Sequence, residues 1–368
     1  MSDELTPAGE QRMVSESRPR VLIVCNQTVR DAYLAPADLE RLAQFAAWEW
    51  LPVQGTGSYV ANDDPANLAA LVAAVGASNA IVVCHGAPRI TGAIMDAAPR
   101  LQFLGELEGD RFAYRVDAPA AWQRGIRTVD TTNGSSYPVA EWALALIIIS
   151  LRNAGEQFRR MMAPEAYRRP RSDFGYRHGE LFGKRVGLIG CGHIGRRLIS
   201  FLKPFQCSIR VCDPFLAKEL PDALGFRLTS LDRVFSESDV VVCLAPLTPR
   251  TRRMIGQREL ELLQPGAVFV NVSRGAVVDP EALIARLQRG DIVAGIDVFD
   301  PEPIPADSPI KSLPNVFLTP HIAGVTAASQ TRFFTLMVDE LERHFQGDET
   351  LYDLSPQTLA NRGETEHA

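Results

Sequence analysis

Val186-Gly187-Leu188-Ile189-Gly190-Cys191-Gly192-His193-Ile194-Gly195-Arg196-Arg197-Leu198 decides how the chain reads. The opening residues predict a strand, after which Ile194, Leu198, Phe201 and Leu202 fall on one face of a helix. Between the two stand Gly190, Gly192 and Gly195 in GxGxxG spacing. In this geometry Gly190 permits a tight turn, Gly192 lets a pyrophosphate approach the backbone, and Gly195 packs helix against strand. N–H groups at the helix start, among them those of His193 and Ile194, then hold the phosphates. The spacing alone is a weak signal, and the strand before it and the helix after it give it force.

The next strand predicted, Ser208 to Cys212, runs into Asp213. A carboxylate there accepts hydrogen bonds from the adenosine ribose hydroxyls and repels a 2'-phosphate. No arginine follows at 214 to 216, so the reading is NAD rather than NADP. A dinucleotide loop does not name a reaction, because many enzyme classes share it.

Working outward, apolar strands and amphipathic helices alternate on both sides of this loop. Strands are expected at Val21 to Cys25, Ala80 to Cys84 and Leu101 to Leu104, and later at Val240 to Leu244, Ala267 to Val270, Val293 to Ile296 and Val316 to Leu318. Such alternation builds parallel sheets covered on both faces. At 368 residues the chain exceeds what one core serves. The expected fold is therefore α/β, with two Rossmann-like or flavodoxin-like doubly wound domains. Residues 19–150, completed by 322–354, form the substrate domain and 151–321 the NAD domain, with disordered tails at 1–18 and 355–368.

The net charge of -6 argues against nucleic acid as a partner. The longest apolar run, Trp142 to Ile149, is too short for a membrane span and reads as a buried helix. The first 18 residues lack an apolar export segment, so a cytoplasmic location is expected. Six cysteines without CxxC or Cys/His ligand spacing read as reduced and buried, and no metal is expected.

Three segments place polar residues just past strands: Ser273 and Arg274, then Asp297 to Glu302, then His321 to Gly324. Strand ends on the cofactor side of such a sheet are where ligands bind. Arg274 suits a substrate carboxylate and its adjacent carbonyl, because a guanidinium forks onto both oxygens. His321 suits proton transfer to the developing alkoxide, and Glu302 beside it stabilises the imidazolium. Each also has a plainer role, as a surface arginine, an exposed loop acid and a turn histidine. Their joint occurrence at successive strand ends favours hydride transfer to a 2-oxo acid.

The stretches GKRVGLIGCGHIGRRL, APLTPRTRRMIG, LLQPGAVFVNVSRGAVVDPEALIARLQRGDIVAGIDVFDPEP and PNVFLTPHIAG resemble, in order and spacing, the D-isomer-specific 2-hydroxyacid dehydrogenase family. The resemblance covers about residues 180 to 325 and extends more loosely to VAEWALALI at 139 to 147. It implies a cleft between the two domains as active site, a homodimer, and Arg274, Glu302 and His321 as catalytic residues. It also implies that Asp297 contacts the nicotinamide amide and that Pro246, Thr251, Ser273 and Gly324 line the cofactor. The formate-oxidising branch carries glutamine at the position of Glu302, which argues against that activity.

The chain departs from that family where substrate is held. The family's glycine-rich loop is replaced by GELEGDRFAYRVD at 105 to 117, His85 stands where many relatives have arginine or lysine, and Ser135 where asparagine is common. Trp142 follows VAE in place of a histidine. With residues 104 to 108 extended, Glu106 and Glu108 share one face, to pair with Arg111 and Arg115 or to meet a polyhydroxy or cationic substrate tail together with His85. Two further classes stay open: an NADH-binding, non-catalytic regulator on the same fold, and a different dinucleotide or methyltransferase-like protein.

Overall fold

The computed structural model describes residues 18–55, 61–108 and 112–362. Two parallel sheets carry the chain. The first holds β1 (Arg20–Cys25), β2 (Ala47–Pro52), β3 (Ala80–Val83), β4 (Phe103–Glu106) and β5 (Arg127–Asp130) in the order β2-β1-β3-β4-β5. The second holds β6 (Arg185–Ile189), β7 (Ser208–Cys212), β8 (Arg227–Leu228), β9 (Val240–Cys243), β10 (Val268–Asn271), β11 (Val293–Ile296) and β12 (Val316–Leu318), in the order β12-β11-β10-β9-β6-β7-β8. The first order is flavodoxin-like and reverses at β1/β3; the second is Rossmann-like and reverses at β6/β9. The central strands are buried along their whole length, as parallel strands with both faces covered must be.

The long helix Ser136–Leu151 is apolar all round, which says that it is buried but not by what. Its residues Val139, Ala143, Leu146, Ile147 and Leu151 pack with Val186, Leu188, Val268 and Val270 of the second sheet. The boundary between domains thus lies near residue 135, not at 150 as the sequence pattern predicts. This helix with the turn before it, Thr132–Leu151, is the one stretch among the described residues long and apolar enough to cross a membrane by composition, and it is packed into this core. The return helix Ala327–Gln346 buries Phe333, Phe334, Met337, Val338 and Leu341 against the first sheet.

Past this helix the chain does not end in a disordered tail from 355. The Leu354 N–H donates to the Thr128 carbonyl at 2.8 Å, and a helix follows over Pro356–Arg362. Leu354 and Leu359 supply the apolar contact that holds it to the first domain. The expected tails at 1–17 and 363–368 lie outside the described residues. All six cysteines are free thiols. Burial pushes Cys25 up to about 12 and Cys191 and Cys243 up to about 11, so they stay protonated and inert.

Candidate active site

Each glycine of the phosphate loop shows the constraint that its place in the pattern implies. Gly190 has φ +92, and a Cβ there would press on the Leu244–Ala245 backbone at 3.1 Å, across the β6/β9 switch point. A Cβ at Gly195 would meet the Gly190 carbonyl at 3.0 Å, so helix His193–Leu202 packs tightly on its strand. Around Gly192 there is nothing within 4 Å, which leaves room for a pyrophosphate against the backbone. Gly192 caps the helix without a side-chain acceptor, so the first-turn N–H groups of the His193 and Ile194 region are not consumed by a cap.

Asp213 sits directly beside this loop. Its Oδ2 accepts from the Cys191 N–H at 2.8 Å and its Oδ1 from the Phe215 N–H at 3.0 Å. One acid thereby fixes both the glycine turn and the end of β7, with lone pairs left for ribose hydroxyls. Thr251 closes the loop after β9, donating to the Pro246 carbonyl at 2.6 Å. These residues fit an adenine dinucleotide.

The chemical residues converge from three loops. After β10, the Asn271 side chain accepts from the Ser273 N–H at 3.1 Å and from Ser273 Oγ at 3.0 Å, and donates to the Arg274 carbonyl at 3.2 Å. That clamp sets the turn from which Arg274, half-buried, extends its side chain, with Nη1 on the Ser273 carbonyl at 2.8 Å. Gly275 lies so close to the Phe299–Asp300 backbone that a Cβ would fall 1.9 Å from it. The Arg274 turn is therefore pressed onto the loop that carries Glu302.

After β11, Asp297 is fully buried and accepts from Thr319 Oγ1 at 2.5 Å and from the Ile322 and Ala323 N–H groups at 3.0 Å. It holds the loop after β12 in a form that gives His321 a left-handed φ of +54. With three of its lone-pair positions engaged, Asp297 is an anchor of the histidine loop before it is a nicotinamide contact. Trp142, the residue in place of the usual histidine, supports the same anchor by donating to Thr319 Oγ1 at 3.3 Å. His321 Nδ1 then lies 2.6 Å from Glu302 Oε1, while Glu302 Oε2 accepts from the Phe299 N–H at 3.2 Å. Both side chains are 38% exposed, open to a ligand from the cleft. Gly324 follows on the crossing to the first domain, its carbonyl accepting from Ser329 Oγ at 3.2 Å.

On the first domain the altered residues separate. Glu106, expected to share a face with Glu108 toward substrate, is fully buried and paired with Arg115. The reason is that β4 ends at Glu106 and the chain bends, so strand alternation no longer relates the two acids. Glu106 is thus a core ion-pair member and not a substrate contact. Glu108 emerges at the end of the sheet, its Oε2 2.9 Å from His85 Nε2 and accepting from the Tyr33 hydroxyl at 2.5 Å. Burial alone would raise its carboxyl, but the hydrogen bonds and charge of His85 and the Tyr33 hydroxyl outweigh this and hold it below the usual range. Ser135 precedes helix Ser136–Leu151, with its hydroxyl on the Thr132 carbonyl at 3.1 Å. Arg111, expected from the sequence to pair with Glu106 or Glu108, lies outside the described residues.

Sequence reasoning missed Tyr33, Asn271, Thr319 and a bridge between the domains. Arg332, on the helix that completes the first domain, donates to the Gly134 carbonyl at 2.9 Å and lies over the Tyr137 ring at 5.2 Å, and Arg197 of the cofactor helix stacks on the same ring at 3.5 Å. Only Asn271, in the quoted VNVSRG run, carried a local signal.

Two parallel doubly wound domains, a glycine phosphate loop and an Arg/Glu/His set at successive strand ends define a dinucleotide-binding α/β scaffold with polar residues gathered at its strand ends. A family model described as D-isomer specific 2-hydroxyacid dehydrogenase, NAD binding domain, matches residues 144–323. The glyoxylate reductase of Korarchaeum cryptofilum is 31% identical over 263 residues, covering 70% of this chain and 77% of that protein. The D-3-phosphoglycerate dehydrogenase of Methanocaldococcus jannaschii is 30% identical over 270 residues, covering 73% of this chain and 50% of that protein, so this chain spans about half of its length. The apo structure of Rhodotorula graminis D-mandelate dehydrogenase superposes with a TM-score of 0.77 at 25% identity, covering 92% of this chain and 98% of that one. The chain belongs to the D-isomer-specific 2-hydroxyacid dehydrogenase family, with NAD as its cofactor.

Proposed function

We propose that the protein interconverts a D-2-hydroxy acid and its 2-oxo acid. The observation that carries this reading is the 2.6 Å contact between His321 Nδ1 and Glu302 Oε1, beside the turn that presents Arg274. Pro246, Thr251, Ser273, Asp297 and Gly324 would line the place of NADH, which would supply the hydride. Arg274 forks onto the substrate carboxylate and polarises the adjacent carbonyl. His321 gives its Nε2 proton to the carbonyl oxygen as hydride arrives, and takes it back in the reverse direction. Glu302 holds the imidazole orientation and stabilises its cationic form. Closure about the crossings near 131–135 and 322–326 excludes water.

The test is NADH oxidation followed with a panel of 2-oxo acids, from glyoxylate and pyruvate to longer hydroxylated and amine-bearing acids. Turnover of at least one is expected. Tight NADH binding with no turnover of any acid would favour the non-catalytic regulator instead.

The quaternary reading is a homodimer. Helix Ala154–Met162 turns Phe158, Met161 and Met162 outward at 67%, 69% and 71% exposure, an apolar strip that a second copy would cover. Light scattering on a sizing column gives the mass directly, and a monomer would end this reading.

A further inference from the structure

The β1/β3 reversal of the first sheet is a second switch-point crevice, distinct from the one that holds the phosphate loop. Ligands in open α/β sheets bind at such reversals, beyond the carboxyl ends of the strands. Here the strand ends meet closely: the Asn26 N–H after β1 donates to the His85 carbonyl after β3 at 2.9 Å. Three polar side chains crown this point. Tyr33 follows β1, His85 follows β3 and Glu108 follows β4, with Tyr33 and His85 both on Glu108 Oε2. Glu108 Oε1 accepts nothing among the described residues. His85 and Glu108 are 20% and 16% exposed, buried enough to be held and open enough to be reached. Tyr33 also stacks on Phe333 with ring centroids 5.9 Å apart, on the helix that carries Gln330. Gln330 lies in the first turns of helix Ala327–Gln346, which follows the His321 loop.

We propose that Tyr33, His85 and Glu108 form a substrate-tail subsite that selects 2-oxo acids whose tail carries a hydrogen-bond donor, a hydroxyl or an ammonium group, and rejects a second anionic group. This rests on the reading of the protein as a 2-oxo acid reductase. The electrostatics of the neighbourhood support it. Arg115 pairs with Glu106 and is fully buried, so its guanidinium does not surface in the cleft, and its charge is one of those that keep Glu108 ionised. A protonated His85 on Glu108 leaves that pair neutral, and a neutral His85 leaves it anionic. Neither state attracts a carboxylate or phosphate tail, whereas Oε1 accepts from a donor.

The experiment compares kcat/KM for three tails of matched length on the 2-oxo acid: unsubstituted, hydroxyl- or amine-bearing, and carboxylate-bearing. The wild-type protein is expected to prefer the donor tails over the unsubstituted one by roughly tenfold or more, with the carboxylate last. Glu108→Gln, which keeps shape and one acceptor, should cut the amine preference by roughly tenfold to a hundredfold and the hydroxyl preference by less. A wild-type enzyme that ranks the carboxylate tail first, or a ranking unmoved by Glu108→Gln, overturns the subsite while leaving the reductase intact. No turnover of any 2-oxo acid overturns the reductase reading, and the subsite falls with it.

Discussion

His321 Nδ1 and Glu302 Oε1 stand 2.6 Å apart although they come from different loops, the one after β12 and the one after β11. Four further hydrogen bonds hold this approach: Asp297 ties the histidine loop through Thr319, Ile322 and Ala323, and the Phe299 N–H ties Glu302. With Nδ1 fixed on the carboxylate, only Nε2 remains for substrate. His321→Ala should lower kcat for a 2-oxo acid by about 10²–10⁴-fold, the usual worth of a positioned acid. Glu302→Gln should lower it less, because the hydrogen bond survives and only the stabilising charge is lost. Single-turnover NADH oxidation separates this from slow product release, and a His321→Ala enzyme of full activity would reject the assignment.

Arg274 is presented by a turn that Asn271 clamps, and its Nη1 donates to the Ser273 carbonyl of that turn at 2.8 Å. Arg274→Lys retains the charge and loses the fork. The expected result is a kcat/KM for the 2-oxo acid roughly tenfold to a hundredfold lower, with NADH affinity preserved. Isothermal titration with NADH alongside steady-state kinetics checks both halves.

Asp213 accepts from the Cys191 N–H, and we propose that the same carboxylate holds a bound ribose. Asp213→Asn keeps an acceptor for the loop and removes the charge that repels a 2'-phosphate. The NAD over NADP ratio in kcat/KM should fall by roughly tenfold to a hundredfold. An unchanged ratio would assign the preference to other residues.

The features legible in the sequence are those whose meaning is local. GxGxxG between strand and helix, and the strand-end positions of Arg274, Glu302 and His321, need only short stretches of chain to be read. Edge strands hide: β2, Ala-Trp-Glu-Trp-Leu-Pro, is half-exposed and ends in proline, and β8 has two residues. Helix Ser136–Leu151 declares burial, yet an all-round apolar helix carries no mark of which sheet it covers. Glu106 and Glu108 were separable only by knowing where β4 stops. Tyr33 meets Glu108 from 75 residues away, a partnership that no spacing rule contains.

His344 sets a pH dependence on stability. Its ring packs on Phe103 and Phe345 at 5.3 and 5.2 Å, and its Nε2 is buried without a hydrogen bond. Burial first, then the charge of Arg127, lowers its pKa below the ordinary 6.5, against a smaller opposing pull from Asp353. The unfolded chain thus takes up a proton near pH 6.5 that the folded chain refuses. Stability is full above that pH and declines as pH falls toward the lowered folded value. Chemical denaturation at stepped pH should show this decline, and His344→Phe, which keeps a ring in place, should flatten it. His178, lowered chiefly by burial as well, adds a residual slope of the same sign.

Glu106 and Arg115 form a fully buried ion pair in the first domain, so their worth depends on which of them is removed. Taking both charges out of water is costly, and their attraction offsets that cost only while both are present. Arg115→Met alone removes the countercharge that the buried Glu106 carboxylate faces and should destabilise by about 3–5 kcal/mol. The double substitution Glu106→Leu with Arg115→Met removes both desolvation costs, and should recover most of that loss. Urea denaturation of the wild type, both single variants and the double variant gives the coupling energy through the cycle. A double variant as unstable as Arg115→Met would mean that the pair contributes through shape and its hydrogen bonds, not through mutual neutralisation. Recovery would identify it as a polar insertion that the core tolerates.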